Sequence, residues 1–232
     1  MAEPELSARL QEKLDMLENP SFENNIPFMY VDSSAKVTVG VGHNLTDIST
    51  ADRKTFFTKR KFMVRRLVRA LDHLATAAQG RVKNIPVPKV DRMGQPANEA
   101  EIQADFDYLT LLPGLKSISP ITSRQNMLIQ TTVEMDAAVI REVFVEDLKK
   151  FKKQAQEVFA DFDSFPVPCQ AAIIDLIFNY GKAGFVQHKK ALVDAVKSSE
   201  QDKWVSAAKL SNRTSANAER NTKVSGWFMG GS

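Results

Sequence analysis

Two carboxylic acids and a hydroxyl occur at defined spacing near the N-terminus. Glu23 precedes Asp32 by nine positions, and Thr38 follows Asp32 by six. Glycoside hydrolysis needs one protonated carboxyl for the leaving oxygen and one ionised carboxylate to activate water or stabilise a cationic sugar. Apolar residues after Glu23 favour its protonated form, and the serine-rich turn after Asp32 favours an ionised carboxylate there. The pattern alone is weak, because a turn Asp and a strand Thr commonly have only structural roles.

A helix and a small β element would position these residues. Leucines at helical spacing predict a helix over about 4–18, with Pro4 at a first-turn position. Residues 27–43 predict a β-hairpin or small sheet, in which "PFMYV" and "KVTVGV" are the strands and "DSSA" is the turn. Asp32 then begins the turn, Thr38 lies on the returning strand, and Glu23 precedes the sheet.

The rest of the chain predicts mainly helix. The helical stretches expected from apolar periodicity are 49–79, 98–110, 134–160, the almost wholly apolar "FPVPCQAAIIDLIFNYG" (165–181), 184–197 and 200–210. Loops are expected at "QGRVKNIPVPKVDRMGQP" and "LLPGLKSISPITS", followed near the C-terminus by the polar loop "SNRTSANAERN" and the tail "GWFMGGS". The predicted fold class is therefore α+β, with the sheet as the minor part.

The segment "FENNIPFMYVDSSAKVTVGVGHNLT" resembles the active-site region of phage-type lysozymes, the muramidases of glycoside hydrolase family 24. The resemblance rests on Glu23, Asp32, Thr38 and the "GVGH" run from Gly40 to His43. "AAIIDLIFNYGKAGF", "KWVSAAKL" and "ANAERN" resemble helices of that family's C-terminal lobe, so the likeness covers about 20–46 and 165–225. It implies a lysozyme-like fold, with a small β-hairpin lobe, a mainly helical lobe and a cleft between them.

The resemblance also implies roles for single residues. Glu23 would be the general acid, with Asp32 and Thr38 handling the attacking water in an inverting reaction. Glu18 is a competing acid, but its spacing to Asp32 does not fit the family. Gly40 and Gly42 would let sugar or backbone approach closely. The expected substrate-binding residues are Gly42, His43, Asn44, Phe178, Asn179 and Arg220.

Four of these binding residues have a structural alternative. His43 could be a hydrogen-bonded structural histidine, and Phe178 could be ordinary core. Asn179 could cap its helix before Gly181, and Arg220 could form a surface salt bridge. The sequence leaves these alternatives open.

One lysozyme-like domain over 1–232 is the predicted organisation. Residues 1–48 would form the N-terminal helix and β lobe with the catalytic motif, 49–132 an enlarged helical and loop insertion, and 133–232 the C-terminal helical lobe. The stretch 51–72 carries eight basic residues and two acids. Its apolar positions Phe56, Met63, Leu67 and Leu71 keep helical spacing, which is typical of a core-packed helix with a solvated basic face.

Composition limits the function classes. The 232 residues are 43% hydrophobic and 25% charged, which is typical of globular proteins, and the net charge of +3 favours anionic partners. The single Cys169 forbids an internal disulfide, and three scattered histidines (His43, His73, His188) predict no metal site. No cofactor motif and no nucleic-acid-binding signature is found. No apolar run predicts membrane insertion.

Three hypotheses from different classes follow. The first is a muramidase that cleaves the β-1,4 bond between N-acetylmuramic acid and N-acetylglucosamine and causes bacterial lysis. The second is a catalytically inactive lysozyme-like module that binds peptidoglycan, and the third is a basic protein that binds nucleic acid. The N-terminal stretch lacks the features of a secretory signal, so the sequence predicts synthesis in the cytoplasm and action on the cell wall or periplasm after release or delivery. An endolysin, a bacteriocin and an antibacterial effector with an immunity protein all fit, and a monomer is expected.

Overall fold

A computed structural model describes residues 5–18, 25–32, 36–65, 92–110, 131–214 and 218–230. Short 3₁₀ turns lie at Asp15–Glu18 and Phe162–Ser164. In chain order, the α-helices and strands of these residues are α1 (Ala8–Leu14), β1 (Ile26–Val31), β2 (Val37–Gly40), β3 (His43–Asn44), α2 (Thr50–Lys59), β4 (Phe62–Val64), α3 (Glu99–Thr110), β5 (Val133–Met135), α4 (Ala137–Val158), α5 (Val167–His188), α6 (Lys190–Lys197), α7 (Lys203–Leu210) and α8 (Ala218–Met229).

The chain divides into two compact units, residues 1–24 with 145–232 and residues 25–144. The second unit holds two small antiparallel sheets, one in the order β1–β2–β3 and the other formed by β4 and β5. Helix α3 packs on β1 and β2. Its core includes an edge-to-face aromatic group in which the rings of Phe62 and Phe106 both lie about 6 Å from Phe57.

A buried carboxylate attaches β5 to α3. Asp105, on α3, is 0% exposed, and its Oδ2 accepts the backbone N–H of Thr132 at 2.6 Å and of Val133 at 2.8 Å. Its Oδ1 accepts the hydroxyl of Thr132 at 2.8 Å. A buried charge is tolerated when several donors satisfy it, so this acid has a structural role.

The first unit is helical and is built around α5. Two prolines, Pro166 and Pro168, occur at the start of α5, where a missing N–H costs little. Residues 169–177 are all buried, which explains the nearly unbroken apolar sequence. Helices α1, α6 and α8 all contact α5, and α1 supplies the buried leucines Leu10 and Leu14. Gly181, at φ 65°, interrupts α5 before its last turns.

The predicted α+β class is confirmed at the coarse level, since helices dominate and the sheets are small and antiparallel. The hairpin, the 98–110 helix and the buried helix after Phe165 all occur where the sequence predicts them. The first helix begins at Ala8 because Ser7 is its N-cap, with its Oγ accepting the Leu10 N–H at 3.3 Å. Among the described residues, no helix combines the length and apolar character that a membrane crossing requires.

Three helix predictions are wrong. The helix expected over 49–79 begins at its Ser49 cap but ends at Lys59, and Phe62–Val64 forms β4, including Met63 that was assigned to a helical face. Residues 133–135, at the expected start of the long helix, form β5, which pairs with β4. The predicted polar loop 211–221 runs into α8, which begins at Ala218, and the predicted tail is the end of that helix, where Trp227 and Phe228 are buried. The predictions for 66–91 and 111–123 fall outside the described residues.

Candidate functional site

The β1–β2 hairpin places three predicted site residues on one face. Tyr30 pairs with Thr38, and Thr38 pairs with Asn44 on the next strand. Val31 pairs with Val37, so Asp32 lies opposite Lys36 at the base of the turn. Because side chains alternate along a strand and opposed residues share a face, Asp32, Thr38 and Asn44 lie on the same face of this sheet.

The Asp32 carboxylate closes the base of the turn. Its Oδ1 accepts the backbone N–H of Lys36 at 2.9 Å, and the backbone N–H of Asp32 donates to the Lys36 carbonyl at 2.9 Å. The residue is half-buried, so the carboxylate is both held by the backbone and accessible to solvent. Such an acid can accept hydrogen bonds from water or a sugar hydroxyl while its position stays fixed.

The side-chain polar groups of Thr38 and Asn44 take part in hydrogen bonds within the protein. Thr38 is only 2% exposed, and its hydroxyl donates to the Lys36 carbonyl at 3.2 Å. The Asn44 Oδ1 accepts the backbone N–H groups of Thr46 and Asp47, and its Nδ2 donates to the Asp47 carboxylate at 3.0 Å. Lys36 also binds Asp47 by its ammonium group. Asp32 and Thr38 therefore bond the N–H and the C=O of the same residue, Lys36.

His43 lies on the opposite face of the sheet from Thr38 and Asn44, because it pairs with Val39. Its imidazole stacks on the ring of Phe56 in α2, with centroids 4.6 Å apart and planes 13° apart. The structural alternative for His43 is the one that this geometry favours. The prediction of His43 as a substrate-binding residue came from the resemblance to phage-type lysozymes and did not take the alternation of strand side chains into account.

The two glycines of this motif have backbone reasons. Gly40 and Gly42 have φ of 63° and 73°, which side chains rarely adopt. A Cβ added to Gly40 would lie 3.1 Å from Cγ2 of Ile140, in the first turn of α4. Close packing of backbone against Ile140 therefore accounts for Gly40. Gly42 occupies the turn between β2 and β3.

The predicted general acid, Glu23, lies outside the described residues. The competing acid Glu18 is in the 3₁₀ turn after α1 and is half-buried. Of the three predicted catalytic residues, Asp32 and Thr38 are thus the two whose mutual arrangement is described.

The remaining predicted residues surround a buried ion cluster, formed by Asp175, Arg213 and Arg220. Arg220 donates from Nε and Nη2 to Oδ1 of Asp175 at 2.9 and 2.6 Å. Arg213 Nη1 lies 2.7 Å from Asp175 Oδ2. The three residues are 0%, 3% and 4% exposed in that order, so the predicted surface alternative for Arg220 is wrong.

Phe178 and Asn179 lie next to this cluster on α5. The Arg220 guanidinium carbon is 5.8 Å from the centre of the Phe178 ring, and that ring meets Phe151 edge-to-face at 5.3 Å. The exposed Asn179 donates to the backbone carbonyl of Asp175 at 2.7 Å. Sequence reasoning identified one member of the cluster, Arg220, and two neighbours, Phe178 and Asn179, but it missed Asp175 and Arg213.

A signal for Asp175 was present. It is the lone acid in the apolar run "AAIIDLIF", and a buried acid requires a cationic or hydrogen-bonding partner. One carboxylate with two guanidinium groups leaves a positive charge in the interior. Burial lowers the pKa of Arg213 from its ordinary value, and the charge of Arg220 acts in the same direction while Asp175 opposes both.

The chemistry available differs between the two places. The hairpin face offers a half-buried carboxylate and, on the same face, a buried hydroxyl, whereas the ion cluster holds one carboxylate and two guanidinium groups inside the protein. Comparisons of the chain with protein-family models, with curated proteins and with solved structures find no match.

Proposed function

We propose that this chain is a peptidoglycan hydrolase, a muramidase with a lysozyme-like fold. The observation that carries the proposal is the hairpin face that holds Asp32 and Thr38. The Asp32 carboxylate accepts the backbone N–H of Lys36, and the Thr38 hydroxyl donates to the carbonyl of the same residue. The order of Glu23, Asp32 and Thr38 in the sequence, and its resemblance to phage-type lysozymes, supplies the substrate class. The bond to be cleaved is the β-1,4 linkage between N-acetylmuramic acid and N-acetylglucosamine.

Each residue has a separate role in the proposed reaction. Glu23 donates a proton to the leaving glycosidic oxygen. Asp32, which is held by the Lys36 N–H, orients the attacking water and takes its proton as the water attacks the anomeric carbon. Thr38 already donates its proton to a backbone carbonyl, so its free lone pairs are what it offers to that water. Attack from the face opposite the leaving group inverts the anomeric configuration.

One observation favours the alternative, a lysozyme-like module that binds peptidoglycan without cleaving it. Thr38 is nearly inaccessible, and the polar atoms of Asn44 are bonded within their own turn. If these residues keep that arrangement when the polymer binds, water is not held at the hairpin and no hydrolysis follows.

Delivery and partners follow from the substrate. A muramidase acts in the periplasm or on the cell wall, so the chain reaches its substrate by release or by delivery. A cell that makes it for use against other bacteria needs an inhibitory immunity protein, which would act by blocking access to Asp32. We propose that the active form is a monomer without cofactor.

Digestion of purified peptidoglycan tests the proposal, with products identified by mass. Wild type should release disaccharide-peptides with reducing muramic ends, and reduction of those ends to muramitol identifies muramic acid as the sugar at the cleaved bond. The Glu23→Gln and Asp32→Asn variants should each lose on the order of 10² to 10⁴ in rate, as expected when a group that transfers or orients a proton is removed.

Asp107→Asn is the matched control, because Asp107 is an exposed acid in the same unit, on α3. It should retain wild-type activity. Polymer binding without any products in wild type would favour the non-catalytic alternative. Equal activity in all four proteins would rule out the assigned carboxylates.

A further inference from the structure

A pocket of about 640 Å³ lies within the helical unit and contains none of the predicted catalytic or substrate-binding residues. It is formed by α1, the first turn of α5 and α8. Its size suits a small ligand, since ligand pockets commonly span about 300 to 1,000 Å³. Met16, Val167, Pro168 and Trp227 supply an apolar wall, and four charged side chains complete the lining.

Three of the charged residues are cations that converge from two helices. Arg9 and Lys13 are four residues apart on α1 and so share one face of that helix, and Lys223 comes from α8. None of the three has a hydrogen-bond or ion-pair partner among the residues that the structure describes. Like charges at this helical spacing are destabilising on their own, so an anion in the pocket would relieve a repulsion that the fold leaves in place.

The charge of the pocket specifies the anion. The three cations and the acid Glu12 give a net charge of +2. A phosphomonoester carries about −1.5 to −2 at neutral pH and presents three acceptor oxygens, which suits several separate cationic donors. The first turn of the 22-residue helix α5 faces the same pocket and has no side-chain cap, which adds favourable potential for an anion.

We propose that this pocket binds a small phosphomonoester whose remaining part packs against Trp227. The proposal goes beyond the hydrolase function and does not depend on it, because it concerns other residues and is tested by binding. A soluble metabolite and the headgroup of a phosphatidate lipid present the same chemistry, and separate arms of the test distinguish these two sources.

Fluorescence of Trp227 provides the readout. The chain has two tryptophans, and Trp204→Phe leaves Trp227 as the only reporter. Trp204 packs between Phe165 and Phe228, so a phenylalanine keeps an aromatic ring there. Titration of this variant with glycerol 3-phosphate at low salt should give a saturable change, and added salt should weaken it.

Two triple variants with the same loss of charge decide the question. Arg9→Gln/Lys13→Gln/Lys223→Gln should weaken glycerol 3-phosphate binding by about tenfold or more, because each lost cation removes a direct attraction. Lys150→Gln/Lys153→Gln/Lys209→Gln removes three exposed lysines of the same unit that do not line the pocket. It should keep affinity within about twofold, since distant exposed charges are screened.

The outcomes separate cleanly. Absence of saturation with both glycerol 3-phosphate and phosphatidate vesicles would overturn the proposal, as would equal losses in the two triple variants. Acetate binding as tightly as glycerol 3-phosphate would overturn the assignment to phosphate. Saturation with only one of the two probes supports the site and identifies the source of the phosphomonoester.

Discussion

Asp32 and Asp175 are both acids held by hydrogen bonds, but their donors come from different distances along the chain. Asp32 takes the backbone N–H of Lys36, four residues later, and remains half-exposed. Asp175 takes the guanidinium of Arg220, 45 residues later, and is completely buried. The first arrangement fixes an acid that remains partly exposed, and the second uses the charge to hold α5 and α8 together.

The contrast indicates which of the two acids can take part in catalysis. Removing a carboxylate from the ion cluster leaves buried cations without compensation, so the fold depends on it. Removing the Asp32 carboxylate affects a half-exposed side chain whose hydrogen bond to the Lys36 N–H is local. A substitution at Asp32 can therefore change activity while the fold is kept, whereas a substitution at Asp175 would destabilise the fold. The predictions below test this difference, from the largest effect to the smallest.

Asp175→Asn should lower the free energy of unfolding by about 3–5 kcal/mol, because Arg213 and Arg220 would remain buried without an opposing charge. Urea denaturation followed by circular dichroism measures the change. Asp194→Asn is the control, since Asp194 pairs with Lys190 on the exposed surface of α6 and should cost at most about 0.5 kcal/mol. A similar small loss for both variants would contradict the structural role of the ion cluster.

Gly40→Ala should cost about 1–3 kcal/mol, because the backbone has positive φ and the new methyl group meets Ile140. Gly226→Ala is the matched change, as Gly226 is in α8 and an added Cβ there would find open space. That variant should gain about 0.5–1 kcal/mol from helix propensity. Thermal unfolding of both proteins gives the comparison, and a stable Gly40→Ala would show that the hairpin backbone can relax.

Cys169, in the first turns of α5, should make the stability depend on alkaline pH. Burial raises the pKa of its thiol from 9.0 to about 12. Between these values the unfolded chain releases the proton and the folded chain keeps it, so stability falls as pH rises. Wild type should lose about 1.4 kcal/mol at pH 10 that Cys169→Ala does not lose.

The measurement compares the two proteins by urea denaturation at pH 7 and at pH 10. Comparing each protein with itself removes the constant cost of replacing the side chain. Parallel losses in wild type and Cys169→Ala would contradict a thiol that stays protonated in the folded state.

Asp32→Asn should change the free energy of unfolding by less than about 1 kcal/mol, because the amide oxygen can still accept the Lys36 N–H. The same variant should lose most peptidoglycan hydrolysis. Parallel denaturation and digestion assays on one preparation make the test. A large loss of stability would place Asp32 with Asp175 as a structural acid and remove the contrast between them.

Local patterns in the sequence predicted the elements that they specify. The hairpin follows from alternating β-branched residues, and α3 and α5 follow from apolar periodicity. Strands β4 and β5 were missed because three residues carry too little periodicity, and their pairing joins Phe62 to Met135 across most of the unit. The last turns of helix α8 were missed because burial of Trp227 and Phe228 overrides the low helix propensity of the surrounding glycines.

The candidate site was predictable to a similar extent. The sequence grouped Asp32 with Thr38, and strand register places both on one face. It did not reveal that Lys36 is bonded by both, or that His43 lies on the other face with Phe56. It also could not give the partners of Asp175, because contacts between helices depend on packing and not on spacing along the chain.

Asp105 has a consequence for misfolding. A slip of β5 by one residue against β4 would turn Val133 and Met135 to the wrong face, which short strands resist only weakly. The same slip would also move the backbone N–H groups of Thr132 and Val133 away from the buried Asp105 carboxylate. Incorrect pairings of this sheet therefore have a higher free energy than the native pairing, because the buried carboxylate loses its hydrogen-bond donors in them.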